Sequence, residues 1–375
     1  MHHPSHPRPS ALVPAGAPRY DIIIVGLGPA GATLARLLSP RLKVLAIDKK
    51  SGGAEGGFRK PCGGLLAPDA QKVLARFDLA LPARVLVSPQ IFAVKTIDAD
   101  ARRTRCYQRF YLNLDRHRFD QWLISLIPSR VEVRKDACLK SLVKTGAGFD
   151  VTWHQDGADF TASATHVVGA DGASSAVRRA LYGGRRGIRH YTAIQQWFHD
   201  EHAGPFYSCI FDSDTTDCYA WGLSKDRHFI FGGAFPPKHC RERFERLKER
   251  MKAFGFCFGA PLRTEACMVL RPSGLFDCRT GREGGFLLGE AAGFISPSSL
   301  EGISYAMGSA LTLSKILNGN NRSPNRTYFL RTLPVRARLF LKNLKVPFMY
   351  FKPLRRLVMA VGVKSIRMAD APETR

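Results

Sequence analysis

Acidic side chains are scarce in this 375-residue chain, where 31 Asp and Glu stand against 56 Lys and Arg for a formal net charge of +25. Such a balance draws a protein toward polyanions, whether nucleic acid, anionic lipid or acidic ligands. A coding bias of a GC-rich genome toward Arg is the other source of the same excess. Long apolar runs are also missing: no stretch of 18 uncharged apolar residues occurs, which excludes a membrane span. The nine cysteines include no C-x-x-C pair and their number is odd, so a reducing compartment is expected rather than a disulfide framework. Residues 1–19 lack the apolar core of a signal peptide and read as a disordered leader. There is no internal repeat and no low-complexity tract. With 45% hydrophobic and 23% charged residues the composition is globular, and the length allows one large domain or two to three small ones.

What is present is organised around residues 20–38. Ile22 to Val25 reads as a buried strand, followed by a glycine turn and a helix with Ala30, Leu34, Leu37 and Leu38 on its packing face. Gly26, Gly28 and Gly31 have the G-x-G-x-x-G spacing of a dinucleotide-binding fold. Gly26 permits the tight turn, Gly28 lets a pyrophosphate approach the backbone, and Gly31 lets helix and strand pack closely. The helix start at Pro29 and Ala30 offers free N–H groups and a positive dipole end to phosphates. A second apolar run, Val44 to Ile47, ends in Asp48, 22 positions after Gly26, where an acid receives a ribose hydroxyl.

Residues 49–64, beginning at Lys49, are too glycine-rich for a regular element and read as a loop close to the cofactor. Helical spacing covers Ala67 to Phe77, and Asp115 is the expected N-cap of a further helix. Val85 to Ile97 and Arg105 to Leu112 alternate as strands. Val131 to Arg134, Lys140 to Lys144 and Phe149 to His154 read as short antiparallel strands. Another strand, Thr165 to Gly169, runs into Ala170-Asp171-Gly172. An aromatic-rich strand block spans Tyr191 to Phe235, and Arg241 to Phe254 has a helical period. Phe286 to Pro297 repeats the grammar of strand and glycine turn, with a helix from Met307 to Leu317 behind it.

Three motifs, in this order, resemble the flavoprotein oxidoreductases built like aromatic hydroxylases, and within them the geranylgeranyl reductase family. They are the Gly26–Gly31 turn with Asp48, the segment Gly169-Ala-Asp-Gly-Ala-Ser-Ser-Ala-Val-Arg178, and Gly289-Glu-Ala-Ala-Gly-Phe-Ile-Ser-Pro297. The resemblance covers most of the chain from residue 20 to about 310. It implies FAD as cofactor, with NADPH or NADH as electron donor, and places Asp171 near the pyrophosphate and Gly289, Glu290 and Gly293 at the ribityl chain. Glu290 departs from the family's aspartate, so the helix start or the flavin must shift to suit the longer side chain. Arg116-His-Arg-Phe-Asp-Gln-Trp-Leu123 resembles the family's R-x-x-F-D-x-x-L helix, whose Arg lies near the flavin, where a guanidinium can fork onto phosphate. Gly302 and Ile303 are implied to present N–H groups to the flavin ring. Glu301 is either a proton relay or a residue of the helix start.

Lys60-Pro-Cys-Gly-Gly64 resembles the family's P-C-G-G segment, which puts Cys62 beside flavin and substrate as a reactive or a pocket-lining thiol. Tyr219-Ala-Trp221 matches the first part of the family's Y-x-W-x-F-P motif, and Gly222-Leu-Ser replaces the rest. Tyr219 and Trp221 either wall an apolar cavity or are core.

The expected fold is α/β: a Rossmann-like FAD-binding domain from residues 20–80, 105–185 and 270–325. Residues 81–104 and 186–269 supply an inserted mixed-sheet substrate domain, and 326–375 a basic amphipathic tail. The tail holds twelve Lys or Arg and two Asp or Glu among bulky apolar residues. It suits an anionic membrane surface or a helical face packed on the protein. No nucleic-acid reader motif accompanies the charge, so no specific nucleic acid is expected. The resulting expectation is a cytoplasmic enzyme, peripheral on the inner face of the membrane where the tail makes contact. It reduces C=C bonds of a prenyl or lipid-like substrate. The alternatives are a monooxygenase acting on an aromatic or natural-product substrate, and an electron-transfer flavoprotein without small-molecule turnover. No W-x-W-x-I-P segment occurs, which disfavours a flavin halogenase.

Overall fold

The structure, a computed structural model, describes residues 16–50, 60–183, 187–199, 204 and 206–366. Most of the leader, the middle of the 49–64 loop and the end of the tail lie outside the described residues. β1 (Arg19–Val25) is a continuous apolar strand in which Ile22, Ile23 and Ile24 are fully buried. Burial of this kind stabilises by about 1.5–3 kcal/mol per side chain. α1 (Pro29–Leu37) follows the turn, and β2 (Val44–Ile47) returns parallel to β1 with Ile22 opposite Val44.

β3 (Leu65–Leu66) and α2 (Pro68–Arg76) lead to β4 (Ile91–Asp98) and β5 (Arg103–Asn113), an antiparallel pair. Residues 105–113, expected with the dinucleotide-binding unit, therefore belong to the other sheet. Alternation along a strand gives its two faces and not its neighbours. α3 (Arg116–Ser125) starts at Asp115, whose side chain accepts from the Arg118 N–H at 2.9 Å.

β6 (Glu132–Arg134) pairs parallel with β2, a correction to the expected antiparallel arrangement. The helical crossover through α3 returns the chain in the direction of β2, which makes the new neighbour parallel. β7 (Cys138–Thr145), β8 (Gly148–Gln155) and β9 (Ala158–Gly169) form an antiparallel meander. β9 then lies parallel beside β1, and α4 (Ala176–Tyr182) follows it.

β10 (His190–His199), β11 (Phe206–Phe211), β12 (Ala220–Lys225), β13 (His228–Phe235) and β14 (Arg263–Leu270) complete the second sheet. α5 (Cys240–Lys252) covers it with Phe244, Leu247 and Met251 packed on Phe231 and Phe235. β15 (Gly281–Arg282) and β16 (Gly285–Leu287) return the chain to the first sheet beside β9, and α6 (Ile303–Leu317) packs on α1. The first sheet runs β15-β16-β9-β1-β2-β6, with β8 and β7 attached to β9. The second runs β14-β10-β13-β12-β11-β4-β5-β17 (Ser365–Ile366), with β3 on β5.

Its last strand comes from the tail, which forms α7 (Pro324–Arg331), α8 (Leu333–Asn343), α9 (Val346–Tyr350), α10 (Lys352–Val361) and β17 (Ser365–Ile366). Tyr328 and Leu339 join the core of the first sheet, while β17 pairs with β5. Buried Arg355 lies 3.0 Å from Asp98 and also contacts Asp100. The tail is thus docked on both sheets. Among the described residues no helix is long and apolar enough to cross a membrane, and no disulfide joins the cysteines.

Candidate active site

A cavity of about 1310 Å³ is lined by residues of both sheets, the glycine turn, the start of α6 and the tail. Ordinary small-molecule pockets are roughly 300–1,000 Å³, so this one accommodates more than one compact ligand. The backbone explains its glycines. Gly26 has φ +96°, and a Cβ there would stand 2.7 Å from the Ala170 carbonyl oxygen. A Cβ on Gly31 would stand 1.9 Å from the Gly26 carbonyl oxygen. Gly28, in contrast, has nothing within 4 Å of its Cβ position, although it lines the cavity: the space beside it is open to a ligand.

Two helices begin at this cavity. α1 starts at Gly28 with Pro29 and Ala30 on the wall, and α6 starts at Gly302 with Ile303 on the wall. Neither start carries a side-chain cap. Helix starts without caps keep N–H donors and positive dipole ends for an anion. The uncapped N-termini, the open space at Gly28 and the shape of the cavity fit a phosphate-bearing dinucleotide.

Asp48 stands at the end of β2 as expected. Its carboxylate accepts from the Leu27 N–H at 2.8 Å and from the Lys50 N–H at 3.0 Å, which ties the glycine turn to the next loop. A carboxylate has about four lone-pair sites, so acceptor capacity is left over. Lys49 lines the cavity beside it. Arg116 is also on the wall, and its Nε donates to Asp120 at 2.9 Å, while Lys50 donates to the other Asp120 oxygen at 3.1 Å. Burial works against the Asp120 carboxylate, but Arg116 and Lys50 outweigh it and hold Asp120 below the usual carboxylate range. Asp120 and Lys50 escaped the sequence reading, although the i, i+4 spacing of Arg116 and Asp120 was a usable signal.

Asp171 lines the cavity, and its carboxylate is hydrogen-bonded within the protein. Its oxygens accept from the Ser175 hydroxyl and from the N–H groups of Ala176 at 2.7 Å and Val177 at 3.2 Å, so it caps α4. Glu290, in the short turn Gly289–Ala292, accepts from the Leu270 N–H at 3.0 Å and is ion-paired with Lys60. Its carboxylate thereby joins β14 to the segment preceding Cys62, on the wall of the cavity. Gly289 at φ +50° and Gly293 at φ +81° shape that turn.

Cys62 lines the cavity and its thiol accepts from the Gly64 N–H at 3.4 Å. Arg116 is a hydrogen-bonding neighbour of this thiol, and the Lys225 ammonium is a second nearby cation. Burial pushes Lys225 down to about 8, and the ammonium donates to Asn113 Oδ1 at 2.6 Å and to the Leu114 carbonyl at 2.7 Å. Tyr219 and Trp221 line the cavity with ring centroids 5.9 Å apart. The Tyr219 hydroxyl donates to the Ser299 carbonyl at 2.6 Å and the Trp221 indole to Gln195 at 3.2 Å, so both present ring faces as wall.

The group that sequence reasoning undervalued is Glu301. It lines the cavity immediately before Gly302, and its Oε1 accepts from the Tyr111 hydroxyl at 3.3 Å. Burial pushes its carboxyl above the usual range, against the opposing pull of Lys342 and of hydrogen bonds from Tyr111 and Ser299. A carboxyl raised in this way holds its proton to higher pH than a free one, which suits a proton donor.

No family model matches the chain. Among curated proteins it is 49% identical to Protein CbrA of Escherichia coli O9:H4 (strain HS) over 354 residues, 94% of this chain and 96% of that one. Protein CbrA of Shigella sonnei (strain Ss046) is 49% identical over 347 residues, 92% and 98% of the two chains. The chain belongs to the CbrA family. Among solved structures this CbrA-family fold is similar to a geranylgeranyl bacteriochlorophyll reductase-like protein from Thermoplasma acidophilum. The TM-score is 0.75 at 18% identity, with 92% of each chain covered. It is similar also to PqsL, a probable FAD-dependent monooxygenase from Pseudomonas aeruginosa, with a TM-score of 0.67 at 17% identity over 92% and 99% of the two chains. p-Nitrophenol 4-monooxygenase PnpA from Pseudomonas putida gives a TM-score of 0.64 at 16% identity over 94% and 100%. These likenesses establish the fold of the CbrA-family chain as the Rossmann-like, two-sheet fold expected from its sequence.

Proposed function

We propose that the chain is an FAD-dependent oxidoreductase that reduces carbon–carbon double bonds of a prenyl or other lipid-like substrate. The observation that supports this reading best is Glu301, a half-buried acid on the cavity wall beside Tyr111, one residue before the helix start at Gly302. Saturating a double bond needs a hydride and a proton. When bound, FAD supplies the hydride, with NADPH or NADH as the electron source.

The chain's own residues do the rest. Gly28 and the start of α1 hold the pyrophosphate, Asp48 accepts a ribose hydroxyl, and Lys49 and Arg116 add positive charge. The N–H groups at Gly302 and Ile303 stabilise negative charge at the ring edge. Tyr219, Trp221 and Phe211 orient an apolar chain and keep water out. Glu301 gives its proton to the substrate carbon that does not receive the hydride, with Tyr111 holding the carboxyl in place.

The names of the structural neighbours supply this reading and a second one, since both a reductase-like protein and monooxygenases share the fold. Hydroxylation of an aromatic substrate draws support from Tyr111, Tyr207, Tyr219 and Trp221, which all face the cavity and suit ring-to-ring packing. The test is anaerobic: the FAD-loaded protein is reduced, a geranylgeranyl ether lipid is added, and absorbance and product mass are followed. Reoxidation with a gain of two hydrogens per double bond supports the reductase. Reoxidation only after oxygen is admitted, with a product heavier by one oxygen atom, favours the monooxygenase. Electron exchange with a protein partner and no substrate turnover would leave an electron carrier.

A further inference from the structure

α10 buries a charged residue and leaves part of its apolar side outward. A helix on a water-facing surface turns its apolar side inward and its charge outward. Here the inward residues are Arg355 and Met359, and the outward ones include Leu357, Val358 and Val361, which are 61%, 47% and 63% exposed. Arg355 can face inward because Asp98 and Asp100 receive it. The outward residues also line the cavity, as do Val363 beyond the helix and Phe348 on α9, both more than half exposed. Side chains that face the cavity and the exterior at once mark its mouth, and this mouth is apolar.

The exposed charge around it is mainly positive, Asp214 beside Lys352 being an exposed acid at the start of α10. No Asp or Glu occurs between residues 326 and 366, while Lys345, Arg356 and Lys364 are exposed on the segments that form the mouth. Exposed apolar patches of this kind mark interaction surfaces. Apolar side chains among cations match the acyl chains and phosphates of an anionic lipid leaflet. A second copy of this chain fits poorly, because a two-fold contact through this face would set two surfaces of mainly positive charge against each other, with Asp214 beside Lys352 as an exposed acid at the edge.

We propose that the face formed by α9, α10 and the residues up to Val363 docks on an anionic bilayer, with the mouth of the cavity opening into the leaflet. A lipid-like ligand then passes from bilayer to cavity without crossing water. The docking stands on the geometry of the tail and is independent of which reaction the cavity performs.

The test is flotation of the full-length protein with phosphatidylglycerol–phosphatidylcholine vesicles and with phosphatidylcholine alone, at low and high salt. Wild type should bind the anionic vesicles at least tenfold better, and added salt should weaken that binding. Leu357→Asp with Val361→Asp should reduce binding at least tenfold with an unchanged circular-dichroism melt, since both side chains are exposed. Binding by the double variant equal to wild type would overturn the proposal, as would absence of vesicle binding at low salt. Sedimentation velocity supplies the remaining arm: a wild-type dimer that the double variant lacks would assign the face to a second copy of the chain instead.

Discussion

Replacing Arg355 by leucine should cost this protein about 3 kcal/mol of stability, the low end of the roughly 3–5 kcal/mol lost when one partner of a buried ion pair is removed. The guanidinium is buried between Asp98, whose side chain is fully enclosed, and Asp100, which is nearly so. Leucine would leave both carboxylates in place. Asp100 keeps the Lys352 ammonium at 3.1 Å, whereas Asp98 loses its cation. That retained partner places the expected cost at the low end of the range, on the order of a hundredfold in the unfolding equilibrium. Guanidinium unfolding at neutral pH, followed by far-UV circular dichroism with equal slopes, reads it directly. Adding Asp98→Asn to Arg355→Leu should return about half of the loss or more, because the stranded charge goes with it. The sign with pH is also fixed. Ser213, Lys352 and Arg355 hold the Asp100 carboxyl below its ordinary value despite burial. Its contribution is therefore present above the unfolded carboxylate pKa and is lost as pH falls through the lower folded value. The deficit of Arg355→Leu should accordingly shrink in acid. A loss below about 1 kcal/mol, or a double variant weaker than Arg355→Leu alone, would refute this account of the buried pair.

Gly31→Ala should fail to fold to a stable protein, since its Cβ would overlap the Gly26 carbonyl, while Gly28→Ala should melt like wild type and bind FAD at least tenfold more weakly by fluorescence titration. Equal FAD affinity for Gly28→Ala would remove the pyrophosphate from that position. Glu301→Gln should bind FAD normally and slow double-bond reduction by about 10²-fold or more, the usual range for a lost general acid. In wild type the rate should fall as pH rises through the raised Glu301 value, because the protonated form is the active one, and Glu301→Gln should lack that limb; an unchanged pH profile would exclude Glu301 as the acid. Glu290→Ala strands the Lys60 ammonium and the Leu270 N–H and should cost about 1–3 kcal/mol by thermal melt, with Glu290→Gln milder.

The parts of this protein that could be read from its sequence are those set by neighbours in the chain. The strand, turn and helix at residues 19–37 follow from local spacing, and the Asp115 cap lies three residues from its donor partner. The capping role of Asp171 was within local reach too, because Ser175 and the helix start stand four and five residues on. Partners far apart in the chain were not legible. Glu290 meets Lys60 across 230 positions and Glu301 meets Tyr111 across 190, so the residue types were visible and their burial was not. The tail shows the same limit: an Arg beside Leu and Val reads as surface charge until Asp98 and Asp100 are found opposite it.

The two helix starts at the cavity, Gly28 and Gly302, lie far apart in the chain. Synthesis at about 5–20 residues per second separates their emergence from the ribosome by on the order of ten seconds to a minute. A cavity with both helix starts therefore exists only once α6 has emerged, and cofactor loading that needs both must follow that point. A truncated product ending before α6 should expose unpaired apolar strand and be cleared rather than accumulate as a partial enzyme.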